Sequence, residues 1–117
     1  MGINLTPAIY CITTYDSNYS TTPYYAVIFT NIKNEDDEGY AQTASRMVEL
    51  AQLQPGFLGL ESAREEVGIT VSYWRDLESI KAWKANAEHI EAQKNGNKKW
   101  YQSYTTRIAK VEREYSL

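Results

Sequence analysis

The sequence predicts an α+β protein of the ferredoxin-like split βαβ type, a four-stranded antiparallel sheet with two helices on one face. Three observations predict it. The hydrophobic patterns run in the order strand, helix, strand, strand, helix, strand. The two middle strands are joined by a short polar turn, as in a hairpin. Each helix is apolar along one stripe only, so each needs a sheet to lie on.

The elements follow in order. Met1 to Pro23 is rich in Thr, Ser, Asn and Tyr. Residues 1–22 read as an N-terminal arm, either lying across a partner subunit or partly disordered. "AIYCITTY" within it can form a short strand whose pairing partner is not evident. The domain proper spans 23–115. "YYAVIFTNI", Tyr24 to Ile32, is β-branched and aromatic on both faces and reads as a central strand. The acidic "KNEDDEG" leads into a helix and places carboxylates near its positive N-terminus. Tyr40, Ala44, Met47 and Ala51 fall at helical spacing, Ala41 and Val48 widen the stripe, and Pro55-Gly56 ends it. "FLGLESAR", Phe57 to Arg64, and "ITVSYW", Ile69 to Trp74, alternate around the turn "EEVG". Asp76 suits the N-cap of a second helix, in which Leu77, Ile80, Trp83, Ala87 and Ile90 form the apolar stripe. "KNGNKK" ends or bends that helix near Asn95-Gly96, Trp100 and Tyr101 sit on a further helical turn, and a last strand runs from about Tyr104 to Arg113.

Both faces of the sheet read as apolar. Val27 and Phe29 alternate with Ala26 and Ile28, and Ile108 with Ala109 and Val111. Helices cover only one face, and an apolar face left to water aggregates. A second copy is the simplest cover. The expectation is a homodimer whose sheets pack face to face or close into a shared, dimeric α/β barrel.

The totals narrow the function. A chain of 117 residues fits one domain and buries a core without metal or disulfide help. The net charge of −3 argues against nucleic-acid binding, which favours a basic face. No apolar stretch approaches the roughly 18 residues of a membrane span. The N-terminus lacks the pattern of a signal peptide. The single cysteine, Cys11, forms no internal disulfide, no Cys/His cluster has metal-ligand spacing, and a cytoplasmic location is expected. No Gly-rich phosphate loop, nucleophile motif or catalytic carboxylate pair is evident. Ten Tyr and three Trp instead favour binding surfaces and interfaces.

Candidate site residues gather in the stretch from Trp74 to Tyr104, which holds every tryptophan and the only histidine. With about 100° per helical residue, Asn86 lies about 60° and Gln93 about 40° from His89. The three make one strip of neutral hydrogen-bonding groups beside the apolar stripe, a candidate pocket wall. His89 titrates near neutrality and suits a general base, a ligand-orienting group or an axial iron ligand; packed at the helix edge it is a hydrogen-bonded structural histidine. Trp74, next to the cap of the second helix, either stacks on a flat substrate or closes the core. Trp83 falls near the apolar stripe. Trp100, Tyr101 and Tyr104 cover a pocket mouth or a partner subunit. Arg107, a charge inside a strand, calls for an acid across the strand or the dimer, with Glu61 one such partner. An aromatic, nearly neutral pocket suits activation of O2 by an electron-rich substrate and does not suit hydrolysis.

"PYYAVIFT", "MVELAQLQPGFLGLESAR" and "GITVSYWRDLESIKAWKANAEHIEAQKNGNKKWYQSYTTRIAKVER" resemble the antibiotic biosynthesis monooxygenase domain family, above all its small stand-alone bacterial members. The resemblance covers Pro23 to Arg113, and its most specific pieces are "QPGFLG" and the run from Tyr73-Trp74 to His89. It implies a ferredoxin-like fold, a dimer built through the sheets and a cavity between sheet and helices. It also implies oxidation of polycyclic aromatics or quinols without metal or flavin. One branch of the family degrades heme with an Asn on the first strand, a Trp on the second helix and a His ten residues later. Here Trp83 matches the Trp, Asn31 lies near the Asn position, and Gln93 stands where the His belongs, with His89 one turn earlier.

The expectation is therefore a homodimeric monooxygenase that needs no cofactor and acts on a small aromatic or quinol-like compound. His89 is the base or proton relay. Asn86 and Gln93 hold the oxygenated substrate, Trp74 stacks on it, and Trp83, Tyr104 and Asn31 complete the lining. Two other readings are a non-catalytic small-molecule-binding or stress-response dimer and a heme-binding or heme-degrading protein. Neither nucleic acid nor membrane is an expected partner.

Overall fold

The computed structural model describes residues 12–15, 22–94 and 100–117, with backbone alone at 12–15 and 89–94. The elements are β1 (Ile12–Tyr15), β2 (Tyr24–Lys33), α1 (Tyr40–Gln52), β3 (Phe57–Arg64), β4 (Gly68–Trp74), α2 (Leu77–Lys94) and β5 (Tyr101–Val111). The strands form one antiparallel sheet in the order β1-β3-β4-β2-β5. Without β1 this is the expected four-stranded ferredoxin-like sheet. The fifth strand comes from the expected arm: Ile12–Tyr15 pairs with β3, Ile12 opposite Ser62 and Tyr15 opposite Gly59. Four extended residues do not name their partner, because that partner lies some fifty residues away in sequence. Cys11 and the rest of the arm lie outside the described residues.

Register assigns the faces. Trp74 pairs with Tyr25, Ser72 with Val27 and Leu60, Thr70 with Phe29 and Ser62, and Gly68 with Asn31 and Arg64. Directly paired residues share a face, and positions two apart on a strand return to it. Trp74 stacks on Trp83 of α2, with centroids 6.1 Å apart and planes at 24°. Arg64 Nη2 lies 3.5 Å from the Tyr40 hydroxyl of α1. Both helices therefore lie over this face. The other face carries Ala26, Ile28, Val71, Ile69, Ala63 and Ala109, of which Ile69 is 44% exposed. Ala63, Arg64, Glu65, Val67 and Ile69 line a shallow groove of about 240 Å³ at the β3–β4 turn.

The helices end for local reasons. Asp76 Oδ1 accepts the Ser79 N–H at 2.7 Å and caps α2. α1 starts after Gly39, at φ 84°, and carries no acidic residue in its first turn. The carboxylates of 35–38 precede the helix instead of entering it. After α1, Gly56 takes φ 84°, and a Cβ there would fall 2.1 Å from Ser79 Oγ. Its carbonyl accepts the Arg75 N–H at 2.8 Å, so this turn is pressed against the start of α2.

Several details depart from expectation. Leu77 and Ala41, placed on apolar stripes, are exposed, while Thr43 is buried in α1. Tyr101 begins β5 rather than extending a helix, because Lys33 of β2 reaches it across a register shift. Of the two places expected for an Arg107 partner, the one within the sheet is not used among the described residues: Arg107 faces outward opposite Ile28, and Glu61 accepts the Tyr73 hydroxyl at 2.8 Å. No helix of the described residues is long and apolar enough to cross a membrane.

Candidate functional site

The helix-side face of β4 runs Trp74, Ser72, Thr70, Gly68, from the largest side chain to none. Beside it lie Leu60, Ser62 and Arg64 of β3, and Tyr25, Val27, Phe29 and Asn31 of β2. The middle of this face is small and polar. Ser62 Oγ and Thr70 Oγ1 share a hydrogen bond of 3.0 Å. Ser62, Thr70, Val27 and Phe29 are inside the sheet yet only half-buried. Helices packed at interior density would have sealed them. The arrangement is a pair of hydroxyls on the helix-side face whose neighbours keep some exposure.

One end of that face is closed. Trp74 has no exposed surface, one ring face against Trp83 and a T-shaped contact with Phe57 at 5.4 Å. Its Nε1 donates to Ser72 Oγ at 2.9 Å, which satisfies the one polar atom of the indole. Leu58, Leu60 and Ile80 are buried too. Of the two roles the sequence leaves to Trp74, this burial supports core.

The other end is polar and aromatic. Asn31, 4% exposed, accepts a hydrogen bond from Arg64 Nη2 through its Oδ1. The Arg64 Cζ lies 5.8 Å from the Tyr40 ring centroid, and Lys33 Nζ lies 4.2 Å from the same centroid. Lys33 is paired with Asp37 at 2.7 Å. That hydrogen bond, then the Lys33 charge, lowers the Asp37 carboxyl below its usual range. Tyr40 meets Trp100 and Tyr101 edge-on at 5.7 and 6.0 Å, and Phe29 meets Tyr101 and Tyr104 at 5.6 and 5.5 Å. Trp100 is buried, with Nε1 donating to the Glu38 carbonyl at 2.9 Å.

The expected site residues divide accordingly. Asn31 and Tyr104 stand opposite each other at the polar end. Trp74 and Trp83 stack at the closed end. Asn86 is exposed on α2. The side chains of His89 and Gln93 lie outside the described residues, as does the expected break at Asn95-Gly96. Sequence reasoning did not single out Arg64, and it read Tyr40 only as part of a helical stripe. The available signal was a glycine, Gly68, across a short turn from an arginine. A Cβ at Gly68 would fall 2.1 Å from Arg64 Nη2, so the guanidinium lies flat on that strand. Among the described residues, no group of three His, Cys, Asp or Glu side chains is placed to hold a metal.

The family model for antibiotic biosynthesis monooxygenase matches residues 23–95. The chain is 54% identical over 94 residues to the uncharacterized protein YqjZ of Bacillus subtilis (strain 168), covering 79% of this chain and 82% of that one. Among solved structures, it is similar to SnoaB, a cofactor-independent oxygenase from Streptomyces nogalater, with TM-score 0.60 and 12% identity over 82% of this chain and 98% of that one. PA3566 from Pseudomonas aeruginosa superposes with TM-score 0.61 and 19% identity, over 82% and 98% of the two chains. At these identities, the solved structures establish the shared fold alone.

Proposed function

The chain belongs to the antibiotic biosynthesis monooxygenase family, and from that premise we propose that it is a cofactor-independent monooxygenase for a small aromatic or quinol-like compound held between sheet and helices. The observation that carries this reading is the part-exposed pair of hydroxyls, Ser62 and Thr70, bounded by aromatic rings at both ends. A flat, electron-rich ring suits such surroundings. Once deprotonated, it can reduce O2 itself. A ring C–H para to a hydroxyl then becomes a quinone carbonyl, all the electrons come from the substrate, one oxygen atom enters the product and the other leaves as water. His89 is the proposed base or relay. Asn86 and Gln93 hold the oxygenated substrate at the α2 rim, the Trp74–Trp83 stack bounds one end, and Asn31 and Tyr104 line the other.

The test is oxygen uptake by the purified protein with a panel of flat phenols and quinols, with no added metal or flavin, in wild type and His89→Ala. Substrate-dependent uptake that the variant loses is expected. Thermal stabilisation by the same compounds without product would replace the enzyme with a ligand-binding module. A sharp Soret change on equimolar hemin, abolished in His89→Ala, would replace it with a heme protein.

The same proposal includes a cytoplasmic homodimer formed through the open sheet face. Glu61, Val71, Ile28 and Arg107 lie in one row across that face, acid at one end, base at the other and apolar residues between. A two-fold axis parallel to the strands brings each Arg107 over the Glu61 of the second copy. Arg107→Glu should shift light scattering toward monomer, and adding Glu61→Arg should restore the dimer. A monomeric wild type would remove this part of the reading.

A further inference from the structure

Among the described residues Arg64 makes no direct ion pair, and Asp37, already paired with Lys33, feels its charge only as a minor influence. Its neighbour Lys33 has Asp37 at 2.7 Å, whereas no carboxylate of the described residues comes within 4.0 Å of the Arg64 guanidinium. What holds Arg64 is neutral. Nη2 donates to the Asn31 carbonyl oxygen and lies 3.5 Å from the Tyr40 hydroxyl. The rest of the guanidinium lies against the Gly68 backbone, where a Cβ would be 2.3 Å from Cζ and 2.9 Å from Nη1.

A guanidinium carries five N–H donors, and both hydrogen-bond partners seen here lie at Nη2. The group is half-buried, so its hydration is reduced, and a buried amide oxygen offsets only part of that loss. A planar, pre-positioned guanidinium matches an anionic oxygen pair better than any other side chain. Phe29 stands two residues from Asn31 on the same face of β2, about 7 Å along the strand. Phe29 and Tyr104 present ring surface there, and Tyr104 is 48% exposed.

We propose that Arg64, positioned by Asn31 and Gly68, binds the anionic oxygen of a flat aromatic ligand, so that the pocket prefers aromatics bearing a carboxylate or phenolate over their neutral counterparts. This rests on the aromatic-pocket reading above and adds the charge class of its ligand.

The probes are 2-naphthoate and its neutral isostere 2-naphthamide, titrated calorimetrically into full-length wild type, Arg64→Met and Gly68→Ala, with thermal melts to verify folding. Wild type should prefer naphthoate by roughly tenfold or more, the scale of a charge-assisted hydrogen bond. In Arg64→Met the preference should fall to about unity while naphthamide binding changes little. Gly68→Ala pushes only the far end of a flexible side chain, so it should keep the fold and still reduce the preference, which tests the idea even where Arg64→Met fails to fold. Equal binding of the two probes by wild type, binding of neither, or a preference that survives both variants overturns the proposal. Arg64-dependent naphthoate binding with no oxygen uptake from any quinol leaves this inference standing and removes the monooxygenase reading; uptake without a charge preference does the reverse.

Discussion

The two ends of the helix-side layer are built from similar rings to opposite effect. At the closed end, Trp74 is entirely buried and its single polar atom is satisfied by Ser72, two residues away on the same strand. At the polar end, about six strand residues or roughly 20 Å away, Asn31 is buried too, yet its partner is a half-buried cation drawn from another strand. Tyr40, Tyr101 and Tyr104 there meet edge-on and keep polar tips and partial exposure. Rings closed on one another hold a fold together. Rings around a cation held by neutral hydrogen-bond partners keep surface and polar tips exposed.

Substitutions can break or sharpen that contrast. The largest effect belongs to Trp74→Ala, expected to cost about 3–5 kcal/mol in urea unfolding, because a fully buried indole leaves a cavity between Phe57 and Trp83. A cost below about 1 kcal/mol would mean that this end is not core. Ser72→Ala comes next. It strands the Trp74 Nε1–H in an apolar site and should cost about 1–3 kcal/mol, with no change in any ligand affinity beyond that.

Arg64→Met reverses the pattern, with stability falling by about 1 kcal/mol while naphthoate affinity falls roughly tenfold. A large loss of stability with no change in ligand preference would make the two ends alike. The smallest effect is outside both. Asp76→Ala should cost about 1 kcal/mol through loss of the α2 cap. The Ser79 backbone N–H holds the Asp76 carboxyl below its ordinary 3.8. A depressed folded value means that the stabilisation is fully present above the unfolded value and is lost as pH falls through the folded one. Melting curves of wild type and variant should therefore converge as pH drops below about 3.8.

The strands β2, β3 and β4 and both helices were legible along the chain because their apolar positions repeat with periods of two and of three to four, which local sequence displays. The start of β5 was not, since "WYQSY" supports a helical turn or a strand equally well, and only pairing with Lys33 decides between them. Asn31 enters as a site residue only through the resemblance to the heme-degrading branch, which has an Asn on its first strand. Its actual partner was invisible, because Arg64 lies 33 residues away and reaches Asn31 only through the register of β4 between them.

Sequence by itself determined the family, the order of elements and the aromatic character of the layer between sheet and helices, since each is written in residue type and spacing. Tertiary structure decided which rings are core and which border open space, where β1 pairs, and that Arg64 stands over Gly68 beside Asn31. Those outcomes depend on strand register and on distances between residues far apart in the chain, which no local pattern encodes.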